Sequence, residues 1–106
     1  MKRGEIWTLR DEGYARKARP VVIVQSDLLI GFDSIILCLL TSYDSEEIAN
    51  RVRIHADAVN GLKKDSYVMT EKIITVAKSE LGERVGTLTV SQMNTIAAQL
   101  KVILDL

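Results

Sequence analysis

Apolar and polar residues follow one another along this chain in short runs that are typical of β-strands, until the pattern changes near the C-terminus. Runs that alternate, or that are apolar throughout and rich in β-branched residues, predict strands. Such runs occupy residues 4–9, 19–25, 33–42, 51–55, 66–70, 72–76 and 82–87, with Glu71 at a bend or bulge between two of them. Six or seven short strands followed by one helix predict a mainly β domain (α+β), built as a small, strongly bent antiparallel sheet or barrel.

The C-terminal segment has helical periodicity. Thr89 and Gln92 have the spacing of a capping box, in which Thr89 is the N-cap. Apolar residues then recur at helical spacing along one face, at Val90, Met93, Ile96, Ala97, Leu100, Ile103 and Leu104. One amphipathic helix is therefore expected to close the chain, with this face packed on the sheet rather than on a partner.

The second and third runs are expected to form a hairpin. The four consecutive β-branched residues Val21–Val24 are typical of a strand that is buried on both faces. Pro20 lacks an N–H donor, which suits the first position of a strand, and it favours extended backbone at Arg19. If the turn is centred near Ile30, Arg19 lies opposite Thr41, with Cβ atoms about 4.5–5.5 Å apart.

An arginine beside a threonine at the mouth of a rigid hairpin suits a phosphate or a phosphodiester. Arginine supplies a planar fork of donors and a permanent charge, and threonine supplies one adaptable donor or acceptor. The same pattern would also arise if Arg19 only flanked a strand and Thr41 only ended one. The residues alone leave both interpretations open.

Charge and cysteine content narrow the classes of function. The 106 residues include 14 basic and 14 acidic side chains, so there is no overall basic field of the kind that attracts nucleic acid. Six basic residues nevertheless lie near the N-terminus: Lys2, Arg3, Arg10, Arg16, Lys17 and Arg19. They could form a local basic patch, or they could belong to a solvated loop of mixed charge. The single cysteine, Cys38, excludes an intrachain disulfide, so a cytoplasmic location is expected. The length of the chain predicts a single domain over residues 1–106. No apolar run reaches the roughly 18 residues that cross a bilayer, so no membrane association is expected.

The sequence lacks the motifs that identify several common kinds of catalytic site. There is no Gly-rich phosphate loop, no Cys/His metal spacing, no nucleophile elbow and no dinucleotide fingerprint, so no metal or cofactor is expected. His55 is the only histidine; it lies in an alternating run and is expected to point outward. An acid–base pair of histidines is therefore not available within one chain.

The order of these segments resembles the MazF/PemK family of toxin endoribonucleases from type II toxin–antitoxin systems. The resemblance rests on Lys2–Trp7, Arg16–Asp27, Leu39–Ser42 and Asp65–Ile73, together with the terminal helix, and so covers nearly the whole chain. The Arg-Gly-Glu-Ile-Trp segment and the later Arg-Pro-Val-Val strand are fairly specific in combination.

This resemblance implies an SH3-like barrel with a C-terminal helix, the CcdB/MazF-like toxin fold, in a homodimer. It also implies a metal-independent, sequence-specific endoribonuclease (an mRNA interferase), whose catalytic pair would be Arg19 and Thr41. Attack of a ribose 2′-hydroxyl on the adjacent phosphate would cleave single-stranded RNA, leaving a 2′,3′-cyclic phosphate and a 5′-hydroxyl. A cognate MazE-like antitoxin would occlude the RNA groove.

The resemblance further implies residues that contact RNA. Gly13, Tyr14, Arg16 and Lys17 would line the RNA path, where Tyr14 could stack on an unpaired base. Lys72 lies where the family often contacts bases. The loop that holds the first four lacks the family's usual Gly-Ser-Glu, so the resemblance implies no particular RNA recognition sequence.

Two alternatives remain open at the level of sequence. Toxins that resemble CcdB use a similar barrel to poison DNA gyrase through a tryptophan-containing C-terminal tail, whereas this chain ends in Ile103–Leu106 and retains the Arg/Thr pair. The other alternative is an inert RNA-binding relative. An RNA cleavage assay distinguishes all three functions.

Overall fold

The computed structural model describes residues 1–10 and 18–106. In this part of the chain it contains six strands, one turn of 3-10 helix and one α-helix. The strands are β1 (Glu5–Leu9), β2 (Arg19–Ile23), β3 (Ser34–Thr41), β4 (Arg51–Ile54), β5 (Ser66–Ala77) and β6 (Leu81–Thr87). The 3-10 turn, Lys78–Glu80, joins β5 to β6, and the helix α1 spans Val90–Leu104.

The six strands form one antiparallel sheet in the order β4-β5-β3-β2-β1-β6. The edge strands β4 and β6 are joined by the turn that follows β4. The Thr87 N–H donates to the Val59 carbonyl at 3.1 Å, and a Cβ added to Gly86 would lie 2.4 Å from the Asn60 backbone. The expected barrel is therefore a bent sheet whose edges meet through this turn, while β4 and β6 do not pair among the described residues.

Strand β5 differs from the sequence-based expectation of two short strands. It is one continuous strand of 12 residues. Cys38 pairs with Ile73 while Leu40 pairs with Val68, so a register irregularity opposite β3 falls where the bend near Glu71 was predicted. The strand continues through this region because β3 pairs with it on both sides of Glu71, at Val68 and at Ile73.

The β2–β3 hairpin is buried on both faces, as the run of β-branched residues predicts. Val22 and Val24 belong to a core cluster that includes Cys38 and, from the helix, Ile96. Val21 and Ile23 belong to a second cluster, on the opposite face, with Ile35, Leu37 and Leu81. Each fully buried aliphatic side chain contributes about 1.5–3 kcal/mol, so the hairpin is a rigid base for the residues at its ends.

The helix begins as predicted and packs through a narrower face than predicted. Thr89 is the N-cap, and both hydrogen bonds of the capping box with Gln92 are present. Met93 and Ile96 are buried, whereas Val90 is 78% exposed. Helical periodicity identifies the apolar face, but only the part of that face that lies on β4 and β5 is covered. In the described part of the chain, no helix has the length and apolar character needed to span a bilayer.

Candidate active site

The register of the β2–β3 hairpin confirms the pairing predicted from the sequence. Val21 pairs with Leu39 and Ile23 pairs with Leu37. The observed pairs end at Val21 and Leu39, and the same register extended by two residues sets Arg19 opposite Thr41. Arg19 is the first residue of β2 and Thr41 is the last residue of β3. The arginine and the threonine therefore lie at one end of the hairpin.

Arg19 and Thr41 line the same pocket, which has a volume of about 570 Å³. This pocket, the Arg19 pocket, lies where β2 and β3 end and the turn after β4 approaches them. Its polar lining consists of three cations and four hydroxyl groups: Arg19, Lys63, Lys64, Thr8, Thr41, Ser42 and Ser66. Among the described residues that line it, none is acidic. The lining therefore favours an anion, and the volume is that of a typical small-ligand site.

The Thr41 hydroxyl is oriented by the backbone of its own loop. Thr41 Oγ1 accepts a hydrogen bond from the Tyr43 N–H at 3.1 Å. Because a lone pair of Oγ1 faces that N–H, the hydroxyl hydrogen is directed elsewhere and can be donated to a ligand oxygen. Thr41 is half-buried, and it lines the pocket as a donor.

Tyr67 on β5 holds the loop that follows Thr41. Its hydroxyl lies 2.6 Å from Glu46 Oε2 and 3.1 Å from Asp44 Oδ1. The hydrogen bond to Glu46, followed by burial and the hydrogen bond to Asp44, raises the pKa of Tyr67 to about 12. The backbone N–H of Glu46, and then the Tyr67 hydroxyl, hold the pKa of Asp44 below its usual value. The phenol of Tyr67 therefore stays protonated and the carboxyl group of Asp44 stays charged at neutral pH.

Lys63 and Lys64 are site residues that the sequence analysis did not identify. They follow a turn fixed by the buried side chain of Asn60. Asn60 Oδ1 accepts from the Leu62 N–H at 3.0 Å, and Nδ2 donates to the His55 carbonyl at 2.8 Å. Adjacent lysines after an Asn-Gly turn were the available signal, but the sequence does not show that this turn docks beside β2.

Of the remaining predicted RNA contacts, Lys72 alone is among the described residues. Gly13, Tyr14, Arg16 and Lys17 fall outside the described residues. Lys72 is exposed on β5 and does not line the Arg19 pocket. The contact of Lys72 with RNA bases stays a prediction.

His55 points outward, as its position in an alternating strand predicts, and its side chain is 75% exposed. Its Nδ1 lies 3.2 Å from Asp65 Oδ2. The N–H of Ala56, and then the side chain of His55, hold the pKa of Asp65 below its usual value. Within residues 1–10 and 18–106, no three His, Cys, Asp or Glu side chains are grouped so that they could hold a metal ion.

Comparison with known proteins identifies the family to which this chain belongs. Residues 2–104 match the family described as PemK-like, MazF-like toxin of type II toxin–antitoxin system. The probable endoribonuclease MazF of Mycolicibacterium smegmatis is 36% identical over 94 residues, which are 88% of this chain and 86% of that protein.

Two solved structures extend the comparison to the fold. An endoribonuclease from a mycobacterial species, solved in complex with its cognate antitoxin, has a TM-score of 0.84 and 28% identity; the match covers 100% of this chain and 96% of that one. The Mycobacterium tuberculosis toxin MazF-mt6 has a TM-score of 0.81 and 26% identity, covering 96% and 97% of the two chains. The chain described here belongs to the PemK-like and MazF-like toxin family of type II toxin–antitoxin systems.

Proposed function

We propose that this toxin is an endoribonuclease that cleaves single-stranded RNA in the Arg19 pocket, at specific sequences and without a metal ion. The observation that carries the proposal is that Arg19 and Thr41, from the two strands of one hairpin, share a pocket with Lys63 and Lys64. A relative that is 36% identical is described as a probable endoribonuclease, which supports the same reaction here.

The proposed reaction is an internal phosphoryl transfer. A ribose 2′-hydroxyl gives up its proton to water as its oxygen attacks the adjacent phosphorus, the bond from phosphorus to the 5′-oxygen breaks, and that oxygen takes up a proton from water. The products are a 2′,3′-cyclic phosphate and a 5′-hydroxyl. Arg19 stabilises the extra negative charge on the phosphorane, and Thr41 donates its hydroxyl hydrogen to a non-bridging oxygen. Because a guanidinium stays protonated, Arg19 acts through its charge and its donors and is not the base.

Lys63 and Lys64 extend the proposed site along the RNA backbone. Both are exposed and both line the pocket, so their ammonium groups can bind phosphates that flank the scissile one. Phosphate contacts of this kind give affinity and position the strand without reading its sequence. Gly13, Tyr14, Arg16 and Lys17 are proposed to line the RNA path, where Tyr14 stacks on an unpaired base, and Lys72 is proposed to contact bases.

The proposal includes the partners that the family implies. A MazE-like antitoxin would inhibit the toxin by covering the Arg19 pocket, and a related endoribonuclease has been solved with its cognate antitoxin. We also propose that two copies of this chain form a homodimer and that the toxin acts in the cytoplasm.

The test is cleavage of a long single-stranded RNA by the purified full chain in excess EDTA, with analysis of both new ends. Discrete cuts that carry 2′,3′-cyclic phosphate and 5′-hydroxyl ends are expected. No cleavage of any RNA would overturn the proposal. Inhibition of DNA gyrase in that case would identify a CcdB-like poison, and RNA binding without cleavage would identify an inert relative.

A further inference from the structure

A continuous chain of hydrogen bonds connects Glu71, on β5, to the hydroxyl group of Thr41. Arg51 forms an ion pair with Glu71, with Nη2 at 2.7 Å and Nε at 3.0 Å from Oε2. Arg51 Nη1 donates to Ser45 Oγ at 2.8 Å. Ser45 Oγ donates to the Tyr43 carbonyl at 2.9 Å. The Tyr43 N–H then donates to Thr41 Oγ1 at 3.1 Å.

In this series of hydrogen bonds, the donor and the acceptor of each bond can be assigned in only one way. A guanidinium has no acceptor, so Ser45 Oγ must accept from Arg51. The single hydrogen of Ser45 is then committed to the Tyr43 carbonyl. With its carbonyl and its N–H both bonded, Tyr43 has a fixed backbone, and its N–H stays directed at Thr41.

The middle of this series of hydrogen bonds, from Arg51 to Ser45, is protected from solvent, whereas the bond between Tyr43 and Thr41 is exposed. Ser45 is 2% exposed, and the Arg51 side chain is 12% exposed. An exposed ion pair contributes little, but here two guanidinium nitrogens bind one carboxylate while a third binds a buried hydroxyl. The arrangement therefore holds Arg51 in one geometry.

We propose that Ser45 and Arg51 are positioning residues, which orient the Thr41 hydroxyl toward the phosphate through the backbone of Tyr43. This inference rests on the proposed function. Without the Ser45 hydroxyl, the Tyr43 carbonyl loses its donor, and the Tyr43 N–H is no longer held against Thr41. The Thr41 hydroxyl can then rotate, so its hydrogen is directed at the phosphate for only part of the time.

A second set of contacts holds the loop in place when this series of hydrogen bonds is interrupted. The Tyr67 hydroxyl bonds Glu46 and Asp44 on the same loop and does not involve Ser45. Replacing Ser45 should therefore change the orientation of Thr41 while leaving the loop in place.

The test compares Ser45→Ala with Ser79→Ala, an exposed serine in the 3-10 turn at the far end of β5. The substrate is an RNA oligonucleotide that contains one mapped cleavage site. Ser45→Ala should lower kcat about tenfold, which corresponds to the loss of one hydrogen bond, with KM unchanged. Ser79→Ala should leave both constants unchanged.

A double-mutant cycle distinguishes positioning from a general structural effect. In a Thr41→Ala background, measured as a single-turnover residual rate, Ser45→Ala should cause no further loss. Arg51→Lys keeps a charge beside Glu71 but lacks the planar fork, so it should give the same pattern even if Ser45→Ala does not fold.

Three results would overturn the inference: full activity of Ser45→Ala, an equal loss of rate in both backgrounds, or a higher KM with unchanged kcat. A wild-type chain that cleaves no RNA gives a different pattern. It would overturn the proposed function and, with it, this inference.

Discussion

Thr41 and Tyr67 face each other across β3 and β5, and the Tyr67 hydroxyl reaches over to the loop that follows Thr41. One side chain therefore connects the strand end that carries the candidate donor to the loop that orients it. Tyr67 is itself buried and lies outside the Arg19 pocket. Its hydroxyl should serve the geometry of the site without touching RNA.

The environment of Tyr67 gives a direct spectroscopic prediction. Its pKa is raised from 10.0 to about 12, so the Tyr67 phenolate should form about two pH units above the usual range. A raised folded-state pKa means that the stabilising contribution is fully present below pH 10 and is lost as the pH rises through 12. The difference in ultraviolet absorbance between the wild type and Tyr67→Phe, followed against pH, measures this titration. A Tyr67 phenolate that forms near pH 10 would contradict the hydrogen bonds to Glu46 and Asp44.

Two substitutions of Thr41 should distinguish the contribution of its hydroxyl group to the cleavage rate from that of its methyl group. Thr41→Ser keeps the donor and should retain a rate within a few-fold of wild type. Thr41→Ala should lower kcat roughly 10–100-fold while RNA affinity changes little, because the donor acts mainly on charge that develops in the transition state. Single-turnover rates and equilibrium binding to a 2′-deoxy-substituted RNA measure the two quantities. A collapse of binding in Thr41→Ala would make Thr41 a binding residue instead.

Lys63 and Lys64 should contribute to affinity through phosphate contacts. Each phosphate contact that is lost from a single strand lowers the slope of log affinity against log salt by about 0.7. Lys63→Ala and Lys64→Ala should each weaken RNA binding and flatten that slope, by similar amounts for different RNA sequences. Lys78→Ala is the matched control, because Lys78 lies at the opposite end of β5 and lines a separate pocket. Unchanged salt slopes in both lysine variants would show that neither ammonium group contacts the backbone.

His55→Ala should leave the cleavage rate within about twofold of wild type, because the ring is exposed and lies outside the Arg19 pocket. The variant loses the contact to Asp65, which helps to keep the pKa of that carboxyl low. A depressed carboxyl pKa stabilises the fold above the unfolded-state pKa, and this contribution is lost as the pH falls through the folded-state value. His55→Ala should therefore lose a small part of its stability at neutral pH, and this loss should disappear in strongly acid solution, measured by urea unfolding, while its activity is unchanged. A large loss of activity would indicate a histidine-dependent mechanism.

The hairpin and the helix start could be predicted from the sequence because their determinants are local. The β-branched run, Pro20 and the turn near Ile30 fix which residues of β2 and β3 face each other, and the observed register agrees. Thr89 and Gln92 likewise form their capping box within four residues. The juxtaposition of Arg19 and Thr41 follows from such local rules.

The other wall of the pocket could not be predicted from the sequence, because it depends on contacts between distant elements. Lys63 and Lys64 reach Arg19 only because the turn after β4 docks on β6, which brings the two edges of the sheet together. The continuity of β5 has a similar cause, since pairing with β3 on both sides of Glu71 maintains one strand where the local pattern is interrupted. Hydrophobic periodicity reports which face is buried, not which distant element covers it.

The most direct test of the account is the single-turnover cleavage rate of Arg19→Ala beside that of Arg19→Lys and Lys78→Ala. Arg19 is exposed at a strand end, so all three variants should keep the wild-type melting temperature to within a few degrees. Arg19→Ala should lose at least about 100-fold in rate, Arg19→Lys should recover only part of it, and Lys78→Ala should match wild type. A folded Arg19→Ala that cleaves RNA at nearly the wild-type rate would show that the Arg19 pocket is not the active site.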